Sequence, residues 1–240
     1  MKRPLIFKGL LSFFRELINM LDKTLVFISD VSPLCDPAVF DRLYSSVSKE
    51  RQEKIDRLKN EKEKRLSLGA YALLLRALSR IGINDILIEY GEFGKPYLSG
   101  VEGVYFSLSH SGERVMCVLS PLDVGCDVEA VQDRSLSVAE RFFAPEEAAY
   151  IESIADADLK RDAFFRLWTL KESFVKCLGT GLNLPLDSFS VDISKKDVTI
   201  RQSCTRSPVY FREYLISGSY RCAVCGQYPR FGELEIVEIA

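Results

Sequence analysis

One histidine and one tryptophan occur among the 240 residues, and neither charge is in large excess. The 32 lysines and arginines are balanced by 34 aspartates and glutamates, which gives a net charge of −2. No overall positive field therefore attracts nucleic acid or an anionic membrane, and we expect neither as a partner. Any site that binds phosphate must be a local cluster of charge.

Long apolar runs are also missing. Residues 1–22 have a basic start and an apolar middle, but Lys8, Arg15 and Glu16 interrupt it, and no small-residue cleavage site follows. No stretch approaches the ~20 apolar residues that a membrane span needs. We expect a short amphipathic helix here, or a leader upstream of a true start at Met20. A chain beginning at Met20 is then expected to fold and work like the full chain.

The seven cysteines are an odd number, scattered along the chain. This pattern favours buried or incidental thiols in a reducing cytoplasm over a disulfide framework, and we expect a cytoplasmic protein. Cys222 and Cys225 form a lone C-x-x-C, for which a zinc or redox role would need a second pair or a βαβ context. The alternative is a strand over 220–226 whose thiols pack in the core.

Composition predicts a globular chain, because 47% of the residues are hydrophobic and 28% are charged. Patterns typical of helices and strands both occur along it. Strands are predicted at 24–29, 86–90, 104–110, 115–120, 124–131 and from 189 onward, and helical stretches at 49–65, 67–78 and 145–178.

The two parts of the chain share a plan. A Ser-Gly pair precedes a strand at Ser111 and again at Ser217, although such pairs are common turn chemistry. We therefore predict an α+β fold of two similar halves that face each other across a cleft. The expected division is an extension over 1–23, an N-terminal half over 24–123 and a C-terminal half over 124–240.

Two carboxylates share one face of a predicted core strand. In the segment VGCDVEAV the two-residue period puts Asp127 and Glu129 on the same side, ~7 Å apart along the chain. Two carboxylates at that distance repel each other. Either this face is exposed to solvent, or a hard cation lies between them.

A third carboxylate lies on the helix predicted from about 161 to 178. The apolar stripe of this helix covers more than half of its circumference; Lys171 and Glu172 fall inside it, and Lys176 falls at its edge. Burying an ionised side chain is costly unless it is paired or bound to a metal. The pattern indicates a functional site, or else long side chains that reach solvent beside the core.

The only histidine, His110, ends a predicted strand. Ser109 and Ser111 flank it, so a polar cluster lies at a strand terminus, where functional sites are common. A lone histidine is often structural, and both roles stay open on this pattern alone.

These residues belong to an ordered set of motifs along the chain: GKP at 94–96, FSLSHSG at 106–112, GCDVE at 125–129, RFF at 141–143 with Glu146, WTLKESFVK at 168–176 and GLNLPLDSF at 181–189. In this order, the motifs resemble the signature of the surfactin-synthetase-activating type of 4′-phosphopantetheinyl transferase. The resemblance covers roughly Thr24 to the C-terminus. D-x-E or K-E-x-x-x-K alone would be weak, whereas the whole ordered set is specific.

What the resemblance implies is a pseudo-twofold pair of α+β halves with coenzyme A, the substrate, in the cleft between them. Asp127, Glu129 and Glu172 would hold Mg²⁺, or Mn²⁺ in its place, against the pyrophosphate. Lys176 would face the phosphates and act in catalysis together with Glu172. The other implied coenzyme A positions are Arg51, Lys54, Arg65, Lys95, Ser109 and His110, with His110, Lys95 and the N-terminal basic residues on the 3′-phosphate.

The implied reaction moves the phosphopantetheine arm of coenzyme A to a serine of an acyl or peptidyl carrier protein and releases 3′,5′-ADP. Such phosphoryl transfer needs positioning and charge neutralisation. Glu172 or a water beside the metal would take the serine proton. An apolar run is a candidate docking surface for the carrier protein, or ordinary helix core: Val138, Ala139, Phe142 and Phe143. We expect a monomer.

A metal-dependent phosphodiesterase or nuclease is the alternative, because it would also use clustered carboxylates and one histidine. It predicts a strongly basic surface and more histidine ligands, and the net charge of −2 and the single histidine count against it. A non-catalytic nucleotide-binding module would not need a lysine and a glutamate inside an apolar helix stripe.

Overall fold

The computed structural model describes residues 21–132, 142–195, 197–216 and 219–239. Helices and strands are mixed along these ranges, which confirms the predicted α+β class. The expectations for residues 1–19 and for a start at Met20 lie outside the described residues. Within the described ranges, no helix is both long and apolar enough to cross a membrane.

The N-terminal elements begin with a buried strand that is followed by three helices. In chain order they are β1 (Thr24–Asp30), α1 (Pro37–Ser46), α2 (Lys49–Asp56), α3 (Glu61–Ser79), β2 (Ile88–Tyr90), β3 (Pro96–Leu98), β4 (Tyr105–Ser111) and β5 (Arg114–Ser120). The charge-dense stretch predicted as one helix over 49–65 is divided between α2 and α3. The Asn60 side chain causes this break by accepting a hydrogen bond from the Lys62 backbone N–H, which starts α3 earlier than predicted.

In the described ranges, the C-terminal elements are six strands and two further helices. They are β6 (Val124–Ala130), α4 (Pro145–Ser153), α5 (Ala157–Leu178), β7 (Ser190–Asp192), β8 (Thr199–Arg201), β9 (Tyr210–Ile216), β10 (Tyr220–Gly226) and β11 (Phe231–Ile236). The helical region predicted at 145–178 is two helices, because Asp156 caps a new start by accepting from the N–H groups of Asp158 and Leu159. Gly179 ends α5 with a φ of 71°, a conformation that side chains disfavour.

The strands form two main sheets and two short hairpins. The first sheet has the order β11-β1-β5-β4, and the second has the order β6-β10-β9. β11 lies parallel to β1, whereas the other neighbours in both sheets are antiparallel. β11 belongs by sequence to the predicted C-terminal half, 124–240, but it joins the first sheet, where it covers an edge of β1. The division into halves otherwise stays a prediction.

Each main sheet has a long helix on one face. α3 packs on the first sheet and α5 on the second, and each contact is an apolar core of its own. The other faces of the two sheets pack against each other in a third core, where Val118 of β5 and Val128 of β6 are fully buried. Two helix-and-sheet units are thus stacked sheet to sheet, and their edge strands β4 and β6 run side by side.

The C-x-x-C pair lies on β10, as the core-strand alternative predicts. All seven cysteines are free; Cys35 and Cys204 are exposed and the others are buried. Cys222 faces the core between the sheets, and Cys225 faces the core under α5. A strand places residues three apart on opposite faces, so these two thiols do not converge on one ligand.

Candidate active site

A line of serine hydroxyls joins the edges of the two sheets. Ser107, Ser109 and Ser111 alternate along β4, so they lie on the same face of the strand. Their Oγ atoms accept hydrogen bonds from the backbone N–H groups of Cys126, Val128 and Ala130 at 3.1, 3.3 and 3.1 Å, respectively. We call this line the serine seam. It brings the polar end of β4 against the D-x-E motif of β6.

Asp127 lies buried at the seam, with only 3% of its surface exposed. Its Oδ1 accepts hydrogen bonds from Ser109 Oγ at 2.8 Å and from Lys176 Nζ at 2.6 Å. Its Oδ2 is buried and has no hydrogen-bond partner among the described residues. A buried carboxylate oxygen without a partner is costly, and it marks a place for a further cation or donor.

Helix α5 brings Glu172 and Lys176 to the same place. The helix passes very close to β6: a Cβ on Gly125 would lie 2.1 Å from the Ser173 carbonyl oxygen, so only glycine fits there. Burial, and next the negative charge of Asp127, raise the pKa of Glu172 above its ordinary value. Although burial opposes the Lys176 ammonium, the Asp127 carboxylate raises the pKa of Lys176. Both shifts show that these three charges interact.

The second carboxylate of the D-x-E motif, Glu129, belongs to the same face of β6. The Ser111 hydroxyl donates a hydrogen bond of 2.6 Å to Glu129 Oε2. Glu129 is more exposed than Asp127, since it lies toward the end of the strand. The serine seam therefore holds both carboxylates, one through Ser109 and the other through Ser111.

The donor set suits a hard cation such as Mg²⁺, which prefers carboxylate oxygens. The free Oδ2 of Asp127 and the raised pKa of Glu172 fit such an ion. In the described part of the chain, however, no three His, Cys, Asp or Glu side chains are close enough to coordinate a metal as they stand. The ammonium of Lys176 supplies the positive charge at Asp127 in this arrangement. The predicted metal ligands Asp127, Glu129 and Glu172 stay a prediction.

The structure separates Ser109 from His110, which the sequence placed in one polar cluster. A hydroxyl has one hydrogen to donate and two lone pairs. Ser109 uses them on Asp127, Lys176 and the Val128 N–H, so its hydroxyl supports the carboxylate, and its contact with coenzyme A stays a prediction. His110 lies on the opposite face of β4, where partial burial and next the charge of Lys176 lower its pKa.

Lys95 lies near the other end of β4 from His110. Its Nζ donates to Asp123 Oδ1 at 2.9 Å and to the Cys177 carbonyl oxygen at 2.7 Å. Asp123 directly precedes β6, whereas His110 lies near the end of β4, and the two strands run side by side in the same direction. Lys95 borders a cavity of about 730 Å³ that β3, the start of β4 and the end of α5 line. The structure therefore does not place Lys95 and His110 at one common point.

Arg51 and Lys54 share a groove of about 410 Å³ with Tyr71 and Tyr90. Arg51 donates to Ser67 Oγ at 2.7 Å and lies 4.8 Å above the Tyr71 ring. Lys54 bonds the hydroxyl of Tyr90 and lies 4.3 Å from the centre of that ring. Arg57, Glu50 and Glu53 line the groove as well, so it contains three cations and two carboxylates.

Arg65, the third basic residue predicted from this region, is half-buried on α3. Its Nε has no hydrogen-bond partner among the described residues. It does not line the groove of Arg51 and Lys54. The three N-terminal basic residues are therefore not gathered at a single point.

Lys171, although adjacent to Glu172, belongs to a different site. It is fully buried, and its Nζ donates to both oxygens of Glu147, at 2.7 and 2.6 Å, and to the Phe189 carbonyl oxygen at 2.7 Å. Glu147 also accepts from the backbone N–H groups of Ala144 and Val191. This satisfied network ties α5 to α4 and β7, so Lys171 does not extend beside the core to solvent.

The predicted docking run is only partly described, because Val138 and Ala139, with Arg141 of the RFF motif, lie outside the described residues. Phe143 is 3% exposed and packs on Phe164 with ring centres 5.3 Å apart, as the helix-core alternative predicts, and its part in docking stays a prediction. Phe142 is 40% exposed and meets Trp168 edge to face. Phe142 stays a candidate for docking.

Two features of the site were not recognised in the sequence. The S-x-S-x-S alternation of β4 matches the period of the D-x-E motif, and this shared period was the available signal. The partner of Lys171 is Glu147, whereas Glu146, the residue named with the family signature, lies at the surface and pairs with Arg201. Neighbouring glutamates at a helix start offer no local signal that separates these roles.

The chain is similar in sequence to known 4′-phosphopantetheinyl transferases. Residues 123–225 match the 4′-phosphopantetheinyl transferase superfamily. The 4′-phosphopantetheinyl transferase Sfp of Bacillus subtilis strain 168 is 36% identical over 198 residues, which cover 80% of this chain and 88% of that protein. The 4′-phosphopantetheinyl transferase gsp of Aneurinibacillus migulanus is 32% identical over 207 residues, which cover 85% of this chain and 86% of that protein.

An α+β chain with these relatives is a group-transfer enzyme, which favours the transferase over the alternative phosphodiesterase. The chain belongs to the 4′-phosphopantetheinyl transferase family. Its reaction is the transfer of phosphopantetheine to carrier proteins, as the resemblance in the sequence implied.

Proposed function

We propose that Asp127, Glu129 and Glu172 bind Mg²⁺, or Mn²⁺ in its place, for the transfer of phosphopantetheine from coenzyme A to an acyl or peptidyl carrier protein. One observation carries this assignment. Asp127 has one oxygen on the Lys176 ammonium and another that is buried without a partner among the described residues. A bound cation would satisfy that oxygen and offset the repulsion from Asp127, which, after burial, raises the pKa of Glu172.

When bound, Mg²⁺ supplies polarisation of the phosphoryl oxygens and offsets their negative charge. Two side chains of the protein, Lys176 and Glu172, contribute through where they lie beside the reacting groups. The Lys176 ammonium, held at the seam by Asp127 and Ser109, adds positive charge beside the pyrophosphate. Glu172 accepts the proton of the carrier serine, whose oxygen forms the new bond to the β-phosphorus. The bond from that phosphorus to the bridging oxygen breaks, and 3′,5′-ADP leaves with the electron pair.

For coenzyme A we propose a contact from His110 to the 3′-phosphate, and contacts from the N-terminal basic residues Arg51, Lys54 and Arg65 at more than one point. Arg51 and Lys54 line one groove, where their charges can meet an anionic group of coenzyme A, although Glu50 and Glu53 line the same groove. Lys95 lies at the other end of β4 and borders the cavity near Gly179. We therefore assign Lys95 to coenzyme A binding at a separate point of contact.

The activity is tested by incubating the protein with coenzyme A, Mg²⁺ and a panel of apo carrier proteins, and measuring the intact mass of each carrier. We expect the mass of at least one carrier to increase by one phosphopantetheine group. A carrier with its acceptor serine replaced by alanine and a reaction with excess chelator are the controls. A carrier mass increase that persists in the chelator would contradict the metal assignment, and no increase on any carrier would contradict the transfer.

The role of His110 is tested on two substrates. His110→Ala should lower kcat/KM for coenzyme A by roughly 10- to 100-fold, the scale of one or two charged hydrogen bonds. Dephospho-coenzyme A should be affected much less, since the group that His110 contacts is missing. Equal losses on both substrates would show that His110 acts elsewhere.

We also propose that the carrier protein docks near the exposed ring of Phe142 and that the enzyme is a monomer. The Phe142 ring contacts Trp168, and Trp168 belongs to α5, the helix that also carries Glu172 and Lys176. Phe142→Ala should raise KM for the carrier and leave KM for coenzyme A unchanged. Light scattering during size-exclusion chromatography tests the monomer.

A further inference from the structure

Each of the three serines of the seam accepts a hydrogen bond from a backbone N–H group, but only two of them donate a hydrogen bond to a carboxylate. Each Oγ accepts from a backbone N–H of β6, at residues 126, 128 and 130. Each therefore faces the side-chain position one residue earlier on β6. For Ser109 and Ser111 these positions are Asp127 and Glu129, and both hydroxyls donate to the carboxylates. For Ser107 the position is Gly125, which has no side chain.

We propose that Ser111 is a positioning residue for Glu129, and that it orients the carboxylate for the metal through its hydrogen bond. The inference rests on the metal site proposed above. The 2.6 Å bond to Oε2 is charge-assisted, so it restricts rotation of a side chain that is otherwise partly exposed. The Ala130 N–H orients the Ser111 hydroxyl in turn, because it occupies one lone pair of Oγ and leaves the hydrogen for the carboxylate.

Ser109 is less suited to a test of this idea. Its hydroxyl serves Asp127 and also accepts from Lys176, so replacing it disturbs two charged groups at once. Ser111 bonds one carboxylate, and Ser107 provides a control. Ser107→Ala and Ser111→Ala each remove one bond between the sheets at 3.1 Å, but only Ser111→Ala removes a bond to a carboxylate.

The experiment measures Mn²⁺ binding to the full chain with coenzyme A present and no carrier protein, from the loss of the free Mn²⁺ electron paramagnetic resonance signal. Ser111→Ala should raise the Kd for Mn²⁺ about 10-fold, at the low end for loss of a group that orients a metal ligand. Ser107→Ala should bind Mn²⁺ like the wild type, although it too removes a bond between the sheets. Ser111→Thr, which keeps a hydroxyl, should bind nearly as the wild type does.

A double-mutant cycle shows whether Ser111 acts through Glu129. In a Glu129→Ala background, Ser111→Ala should cause no further loss of Mn²⁺ affinity. A further 10-fold loss in that background, or equal Kd values for Ser107→Ala and Ser111→Ala, would overturn the positioning role while leaving the metal site intact. If Asp127→Ala bound Mn²⁺ as the wild type does, the metal site itself would be wrong, and the role of Ser111 would be overturned with it.

Discussion

Two lysines of helix α5, Lys171 and Lys176, each pair with a carboxylate of another element, but in different ways. Lys171 and Glu147 are both buried, and both oxygens of Glu147 are hydrogen-bonded. Lys176 and Asp127 lie at the seam, where the lysine is partly exposed and one oxygen of Asp127 has no partner among the described residues. Both carboxylate oxygens of the first pair are hydrogen-bonded within the protein, and this pair stabilises the fold. In the second pair, one carboxylate oxygen can still bind a ligand. The structural pair therefore differs from the pair in the candidate active site in whether both carboxylate oxygens are hydrogen-bonded, rather than in how deeply the lysine is buried.

The largest loss of activity should follow from replacing Asp127, the carboxylate with one oxygen that has no partner among the described residues. Asp127→Ala should lower the rate of transfer about 1,000-fold or more, because several kcal/mol of charge stabilisation in the transition state depend on a metal ligand. Carrier mass measured over time gives the rate. The fold should persist, since Lys176 is partly exposed and can reach solvent. A normal rate in chelator-treated buffer with added Mg²⁺ would contradict the assignment.

Breaking the pair of Lys171 and Glu147 should instead lower stability. Glu147→Ala leaves the Lys171 ammonium buried without its counter-ion, which should cost about 3–5 kcal/mol. For a protein of this size that corresponds to a fall in Tm of roughly 10 °C. Calorimetry measures it, and Glu146→Ala is the matched control, because Glu146 pairs with Arg201 at the surface. A similar Tm for both variants would show that the buried network does not stabilise the fold.

Replacing each lysine with methionine compares the pairs directly. Lys176→Met should lower kcat/KM about 10- to 100-fold, the effect of one charge placed beside the transferred group. It also leaves Asp127 without a cation, so Mg²⁺ should raise the Tm of Lys176→Met more than that of the wild type. Lys171→Met should lower Tm and respond to Mg²⁺ as the wild type does. The same Mg²⁺ response in both variants would remove the distinction.

The smallest effect concerns the thiols around the seam. Burial raises the pKa of Cys126 and of Cys222 to about 12, so both stay protonated at pH 8. A thiol reagent at pH 8 should react rapidly with Cys35 and Cys204 alone, and with the buried thiols only after denaturant is added. Mass spectrometry of the labelled peptides identifies the sites. Rapid labelling of Cys126 in the folded protein would indicate that the seam opens easily.

Much of the fold could be predicted from the sequence, because the patterns that define strands and helices are local. The strands predicted at 104–110, 115–120 and 124–131 match β4, β5 and β6 within a residue at most ends. The two-residue period likewise placed Asp127 and Glu129 on one face of β6, and the apolar stripe identified Lys171 and Glu172 as unusual. The ordered motifs were specific enough to indicate the family by themselves.

Only the tertiary structure decided which of these groups meet. Lys176 reaches Asp127 across 49 residues of chain, and Lys171 reaches Glu147 rather than its neighbour Glu146. The serine seam, the return of β11 to the first sheet, and the separation of Lys95 from His110 are equally non-local. The periodicity of a helix or strand indicates only which face of that element a side chain lies on. The choice of partner depends on how α5 and the two sheets pack, and the close contact at Gly125 sets that packing.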